Sequence, residues 1–158
     1  MAKGTFPTIV LTAHPQGKFL EGVVSGTPLP GTIMQIVGGT AQQEERFTWQ
    51  SANLAASGNW LMQAVLREDD NQGGTASTAY VSGTRCEMYV PISGEEMNCL
   101  YGLGSGTSNS LTPGTNLMVS SGQGILITST GSPQQIARMS YDTLTSVAAD
   151  TLAWVVRI

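Results

Sequence analysis

Charge is what this chain has least of. Of its 158 residues only 11% are Asp, Glu, Lys or Arg, against roughly 25% in a typical globular protein. The seven basic residues are scattered, with no basic run, and the net charge is −4. Nucleic-acid affinity rests on Lys and Arg neutralising phosphates, so no nucleic-acid partner is expected. No apolar run reaches the roughly 20 residues a membrane-spanning helix needs, so no membrane partner is expected either. Lys3 followed by Phe6 to Ala13 only faintly mimics a signal peptide, because Pro7 and two threonines break the apolar run.

Groups that do chemistry are equally sparse. His14 is the one residue whose ordinary pKa lies near neutrality. No Gly-x-Ser-x-Gly elbow accompanies it, which argues against nucleophilic catalysis. Cys86 and Cys99 are the only cysteines, too few for a disulfide scaffold. A turn at Ser93-Gly94 separates them, so a disulfide is open to them if their strands pair; free core thiols are the expectation. A zinc site would need closely spaced Cys and His ligands, and His14 is far away in sequence. Asp69-Asp70, Glu44-Glu45 and Glu95-Glu96 are adjacent pairs. Neighbours on a strand point to opposite faces, whereas acid–base carboxylates must converge on one bond. Asp69 to Gly73 carries calcium-like oxygen donors without the ligand spacing of a calcium loop. Gly102 to Gly106 lacks the Lys-Ser/Thr ending of a phosphate loop. No catalytic residue, cofactor or metal is therefore expected.

In place of charge the chain has nineteen glycines and many Ser, Thr, Asn and Gln. Helical surfaces usually carry Glu, Lys and Arg, so this profile favours strands and turns. The length suits one domain and can bury a core without crosslinks. The clearest local signal is Asn109 to Gly131: a Pro113-Gly114 turn, an apolar strand over Asn116 to Ser120, a glycine reversal, and a return strand over Ile125 to Thr128. Further strands are predicted over Phe19 to Ser25, Thr32 to Val37, Phe47 to Trp49, Trp60 to Glu68, Arg85 to Val90, Glu95 to Leu103, Gln134 to Ser140 and Thr151 to Ile158. In Arg85 to Val90, Cys86, Met88 and Val90 should face one side and Arg85, Glu87 and Tyr89 the other. Asp69 to Thr78 reads as an exposed loop, and Asp142 to Asp150 as an irregular stretch or short helix. Pro30-Gly31-Thr32-Ile33-Met34 is echoed by Pro113-Gly114-Thr115-Asn116-Leu117-Met118. The echo is chance or marks two similar strand entries; six residues are too few to decide.

Strands recurring about every ten residues predict an all-β fold, a compact sandwich or barrel of short antiparallel strands. Residues 1–18, with Pro7, Pro15 and Gly17, read as an extended N-terminal arm or an edge strand. Residues 19–158 read as one β-rich domain. Trp49, Trp60 and Trp154 suit a core or interface, or alternatively the platform of a carbohydrate-binding or adhesin module.

The run GTRCEMYVPISGEEMN (83–98), then LTPGTNL (111–117), a short hairpin, and ADTLAWVVRI (149–158) resembles the head decoration, or capsid cement, proteins of tailed bacteriophages. The likeness spans roughly residues 80 to 158. It implies a non-enzymatic β-rich virion protein on the outer surface of the phage head, assembled in the host cytoplasm. Its partner would be the major capsid protein, and it would form a homotrimer bridging capsid subunits. It also implies a gripping N-terminal arm, on which Phe6, Ile9 and Val10 would be the apolar anchors by position.

Overall fold

The computed structural model describes residues 9–10, 15–37, 47–52, 63–69, 74–102, 110–120, 123–129, 137–139, 143–145 and 151–158. Twelve strands and no helix occur among them: β1 Lys18–Val24, β2 Ile33–Ile36, β3 Phe47–Ser51, β4 Gln63–Leu66, β5 Arg85–Val90, β6 Glu96–Tyr101, β7 Ser110–Leu111, β8 Asn116–Val119, β9 Leu126–Thr128, β10 Ala137–Met139, β11 Leu144–Thr145 and β12 Thr151–Arg157. The all-β expectation holds. The predicted hairpin is present as the antiparallel pair β8–β9. Leu144–Thr145 is a strand paired with β7, whereas residue 142 and residues 146–150 of the stretch read as irregular lie outside the described residues.

The strands close into two barrels. The first runs β1-β3-β2-β4-β5 and the second β6-β9-β8-β10-β12, each returning to its start. Neighbours are antiparallel except for β1–β3 and β6–β9, which are parallel. This departs from the predicted all-antiparallel arrangement for a topological reason. An odd number of strands cannot alternate in direction around a closed ring, so one neighbouring pair in each five-stranded barrel must run the same way.

The two barrels share one connectivity and one register. Val24 opposes Trp49 as Tyr101 opposes Leu126, and Ile36 opposes Trp49 as Val119 opposes Leu126. Met34 meets Ala64 as Leu117 meets Ala137, and Leu66 meets Met88 as Met139 meets Val155. The Pro-Gly echo sits at equivalent points. Gly31 and Gly114 have φ of 86° and 83°, the left-handed conformation a type II turn needs at its third residue. Each turn closes from the following threonine: Thr32 N to Leu29 O at 3.2 Å, Thr115 N to Thr112 O at 3.1 Å. Each glycine N–H then donates to the end of the fourth strand, Leu66 O at 2.8 Å and Met139 O at 2.9 Å.

The interiors differ. Barrel 1 is filled from its own strands and one loop residue: Val24, Met34, Trp49, Ala64, Leu66, Cys86 and Met88, with Tyr80. A Cβ on Gly22 would lie 2.4 Å from the Trp49 indole, so glycine is what admits the ring. Barrel 2 has Cys99 and Leu126 at the equivalent positions, and its core continues into Ile9, Ile33, Ala52 and Val65 from the first half of the chain. The backbone shows why. β6 pairs with β9 only at Tyr101–Leu126. Along the rest of that edge, Leu100 N–H donates to Gly31 O at 2.9 Å and Asn98 N–H to Ile9 O at 2.8 Å. Gly124 stitches the other side, accepting from Ile33 N–H at 2.7 Å and donating to Ala52 O at 3.1 Å. Barrel 1 thus plugs the gap in barrel 2. An apolar cavity of about 20 Å³ lies at this junction, touched by Ile33, Val65, Met97, Cys99 and Leu126. That is room for about one water and none for a ligand.

Candidate partner-binding surface

The N-terminal segment is held by two buried carboxylates. Glu68 and Glu95 are 6% and 4% exposed. The Ile9 N–H donates to both Glu68 oxygens, at 3.3 and 3.1 Å. Glu95 accepts from the Gln16 and Gly17 N–H groups, from the Ile92 N–H at 2.9 Å and from the Tyr89 hydroxyl. Burial alone would raise the Glu95 pKa, but these four donors favour the anion and bring it below its ordinary range. The Tyr89 hydroxyl is pushed up in turn, by burial and by its bond to Glu95. Gly17 lies so close that a Cβ would be 2.2 Å from Val90 O.

This bears on the anchors implied by the resemblance. Ile9 is fully buried in the core of barrel 2, and Val10, half-buried, forms an isolated bridge to Met97. Both serve the chain's own fold here. Phe6 lies outside the described residues, as do His14 and Trp60. Cys86 and Cys99 are free and buried. They sit in different barrels, on strands that do not pair, because β5 takes β1 and β4 while β6 takes β12 and β9. Burial, with a smaller push from Asp69, raises the Cys86 thiol to about 12. Burial raises Cys99 further, against an opposing pull from Arg157.

Among the described residues, most of the exposed large apolar side chains belong to barrel 1. The outer side of β1 and β5 carries a ladder of opposed charges. Arg85 pairs with Glu21 and Arg67 with Glu87, which offsets the direct opposition of Glu21 and Glu87 across the strands. Above it, Phe19 packs on Tyr89 with ring centroids 4.8 Å apart, and the Arg67 guanidinium lies 5.3 Å from the Phe19 ring centre. Phe19, Phe47 and Val37 are 46%, 42% and 43% exposed. The half-buried Val23 opposes Thr48 on β3, whose carbonyl accepts from the Val37 N–H at 2.9 Å. Val23, Thr48 and Val37 therefore form one row across three strands. Trp49, the first member of the suggested sugar platform, is fully buried. Among the described residues this surface offers shape, apolar area and paired charge.

Adjacency to Glu96 set Glu95 aside as a candidate, and Glu68 stood at the end of a predicted strand with no role assigned to it. Strand parity held the signal: Glu95 shares its face with Met97, Cys99 and Tyr101, and Glu68 with Ala64 and Leu66.

No protein-family model matches the chain, and no curated protein matches it. Among solved structures, it is similar to the N-terminal base of the head fibre protein gp8.5 of bacteriophage phi29. The likeness has a TM-score of 0.55 at 8% identity and covers 90% of this chain and 95% of that one. At that identity the comparison establishes a common fold.

Proposed function

We propose that this protein is a non-enzymatic structural component of a phage virion, bound to the outer surface of an icosahedral head through the major capsid protein. It bridges capsid subunits there and stabilises the shell, as a homotrimer. The observation that carries this reading is the two-barrel fold, shared over 90% of the chain with the base of a phage head fibre. The low charge and the exposed Phe19, Val37 and Phe47 on barrel 1 support it, since both suit a protein that works against other protein. Many modest contacts repeated on a lattice gain avidity without a strong single site. The test is to mix the purified protein with expanded heads that lack it. Co-sedimentation and a raised temperature of head disruption are expected; failure to bind any form of the head would overturn the reading.

A further inference from the structure

The Glu95 site is built for an anion. Oε1 takes the Gln16 and Gly17 N–H groups, and Oε2 takes the Ile92 N–H and the Tyr89 hydroxyl. Four donors occupy two oxygens, so a proton on either oxygen meets a donor already in place. The Tyr89 hydroxyl can relieve that conflict only by withdrawing its own bond. The donors are not equally fixed. Ile92 lies in a turn whose Gly94 N–H donates to Arg157 O at 2.8 Å, and Tyr89 stands in β5 between β1 and β4. Gln16 and Gly17, among the described residues, are hydrogen-bonded to the domain only through Glu95 and Tyr89. Gln16 is exposed and Gly17 half-buried, so they add little apolar area to the hold. What they add is cover. A Cβ on Gly17 would stand 2.7 Å from the Tyr89 ring and hydroxyl, and Tyr89 beneath is fully buried, next to the exposed Phe19.

The groups around Glu95 leave it as the one that titrates in acid. Tyr89 of β5 is the ionisable group in contact with it, and burial together with the bond to Glu95 keeps its hydroxyl protonated. Lys18 begins β1 beside Gly17, and Arg157 of β12 donates its N–H to Glu95 O at 2.9 Å; lysine and arginine keep their charge throughout the acid range. Glu96 points to the opposite face of the chain. His14 lies outside the described residues, and a histidine titrates near neutrality, in a separate range. Burial works against the Glu95 anion, but its four hydrogen bonds outweigh burial, so protonation falls below the ordinary value of 4.5. Glu68, the other carboxylate on this segment, receives one N–H across both oxygens, from Ile9, which is itself fully buried in barrel 2. The stretch that loses its hold with Glu95 is therefore short, and it stays tethered at Ile9 and at the start of β1.

We infer that Gln16 and Gly17 form an acid-opened cover: protonation of Glu95 lifts them off Tyr89, whose ring joins Phe19 as one exposed aromatic patch while both barrels stay folded. The inference does not depend on the capsid reading and holds for the isolated protein. Amide-resolved NMR of the full chain, from neutral pH to about pH 3, tests it. The Gly17 amide should lose at least about tenfold of its exchange protection, corrected for the intrinsic rate, in one transition, while the β5 and β12 amides change less than about twofold. The Tyr89 ring signals should shift in the same transition. Glu95→Gln places an amide NH2 among the donors and should leave the cover open at neutral pH, with Tyr89 signals that acid no longer moves. Tyr89→Phe keeps the ring but removes one donor to the anion, so the Gly17 transition should move to higher pH. A Gly17 amide that keeps its protection until the strands themselves unfold, a transition that survives unchanged in Glu95→Gln, or a midpoint that Tyr89→Phe leaves in place would each overturn the inference.

Discussion

Barrel 1 and barrel 2 solve one topology with different packing. Barrel 1 seals itself: Trp49 spans the interior because Gly22 has no side chain there, and three residue pairs close β1 onto β3. Barrel 2 has Cys99 and Leu126 at those positions and one closing pair, Tyr101–Leu126. Its gap is filled from outside, by Ile9 of the N-terminal segment and by Ile33, Ala52 and Val65 of barrel 1. The lesson is that register alone does not make a barrel autonomous. Closure depends on where the interior volume comes from.

The largest expected effect breaks that volume match. Gly22→Cys, which imports barrel 2's residue, drives a side chain into the indole and should cost about 3 kcal/mol. Trp49→Leu leaves a void and should cost about 3 kcal/mol as well. Combined, the two recreate barrel 2's pair and should recover at least about half of the summed loss. Urea unfolding measures this, and strictly additive losses would show that the two positions are not complementary.

Next in size is the carboxylate clamp. Glu95→Gln turns one of the two oxygens into an amide NH2, takes the acceptor from two of the four donors and should cost about 2 kcal/mol at neutral pH. The sign with pH follows from its lowered pKa. Its stabilisation is complete above the ordinary carboxylate value of 4.5 and is lost as pH falls through the lower folded value. Thermal unfolding between neutral and acid pH should therefore fall steeply in the native chain and less so in Glu95→Gln.

A smaller effect separates the two turns. Alanine at Gly31 or Gly114 is strained by positive φ, about 1 kcal/mol in each case. Only at Gly31 does the new methyl also meet barrel 2, so Gly31→Ala should cost about 1 kcal/mol more than Gly114→Ala. Equal losses in chemical unfolding would mean that the barrel junction yields freely. Least perturbing is thiol labelling: neither Cys86 nor Cys99 should react with a disulfide reagent at neutral pH until the chain unfolds, because burial keeps both protonated.

Much of this fold was legible in the sequence. Alternation marked Cys86, Met88 and Val90 as one face of β5, and these pack inside barrel 1. Pro-Gly followed by Thr located both turns. The Pro-Gly echo was the visible trace of the internal equivalence, but six residues could not establish it. Elsewhere the equivalent positions carry different side chains, such as Trp49 with Leu126 and Val65 with Arg138. Closure preserves register and total volume while leaving individual residues free. The parallel pairs were not legible, since ring parity appears only once the strand number per barrel is known. Tyr89 was correctly placed on the outer face, yet it is fully buried, because the strap at Gln16 and Gly17 covers it. That contact joins residues far apart in sequence, which no local pattern records.

The dependence of barrel 2 on barrel 1 is best tested by residue-resolved hydrogen exchange of Ile33→Ala against the native chain. Truncating this plug should strip protection from the β6 and β12 amides while those of β1 and β5 keep theirs. Equal loss in both barrels, or earlier loss in β1 and β5, would contradict the view that the first barrel stands alone and completes the second.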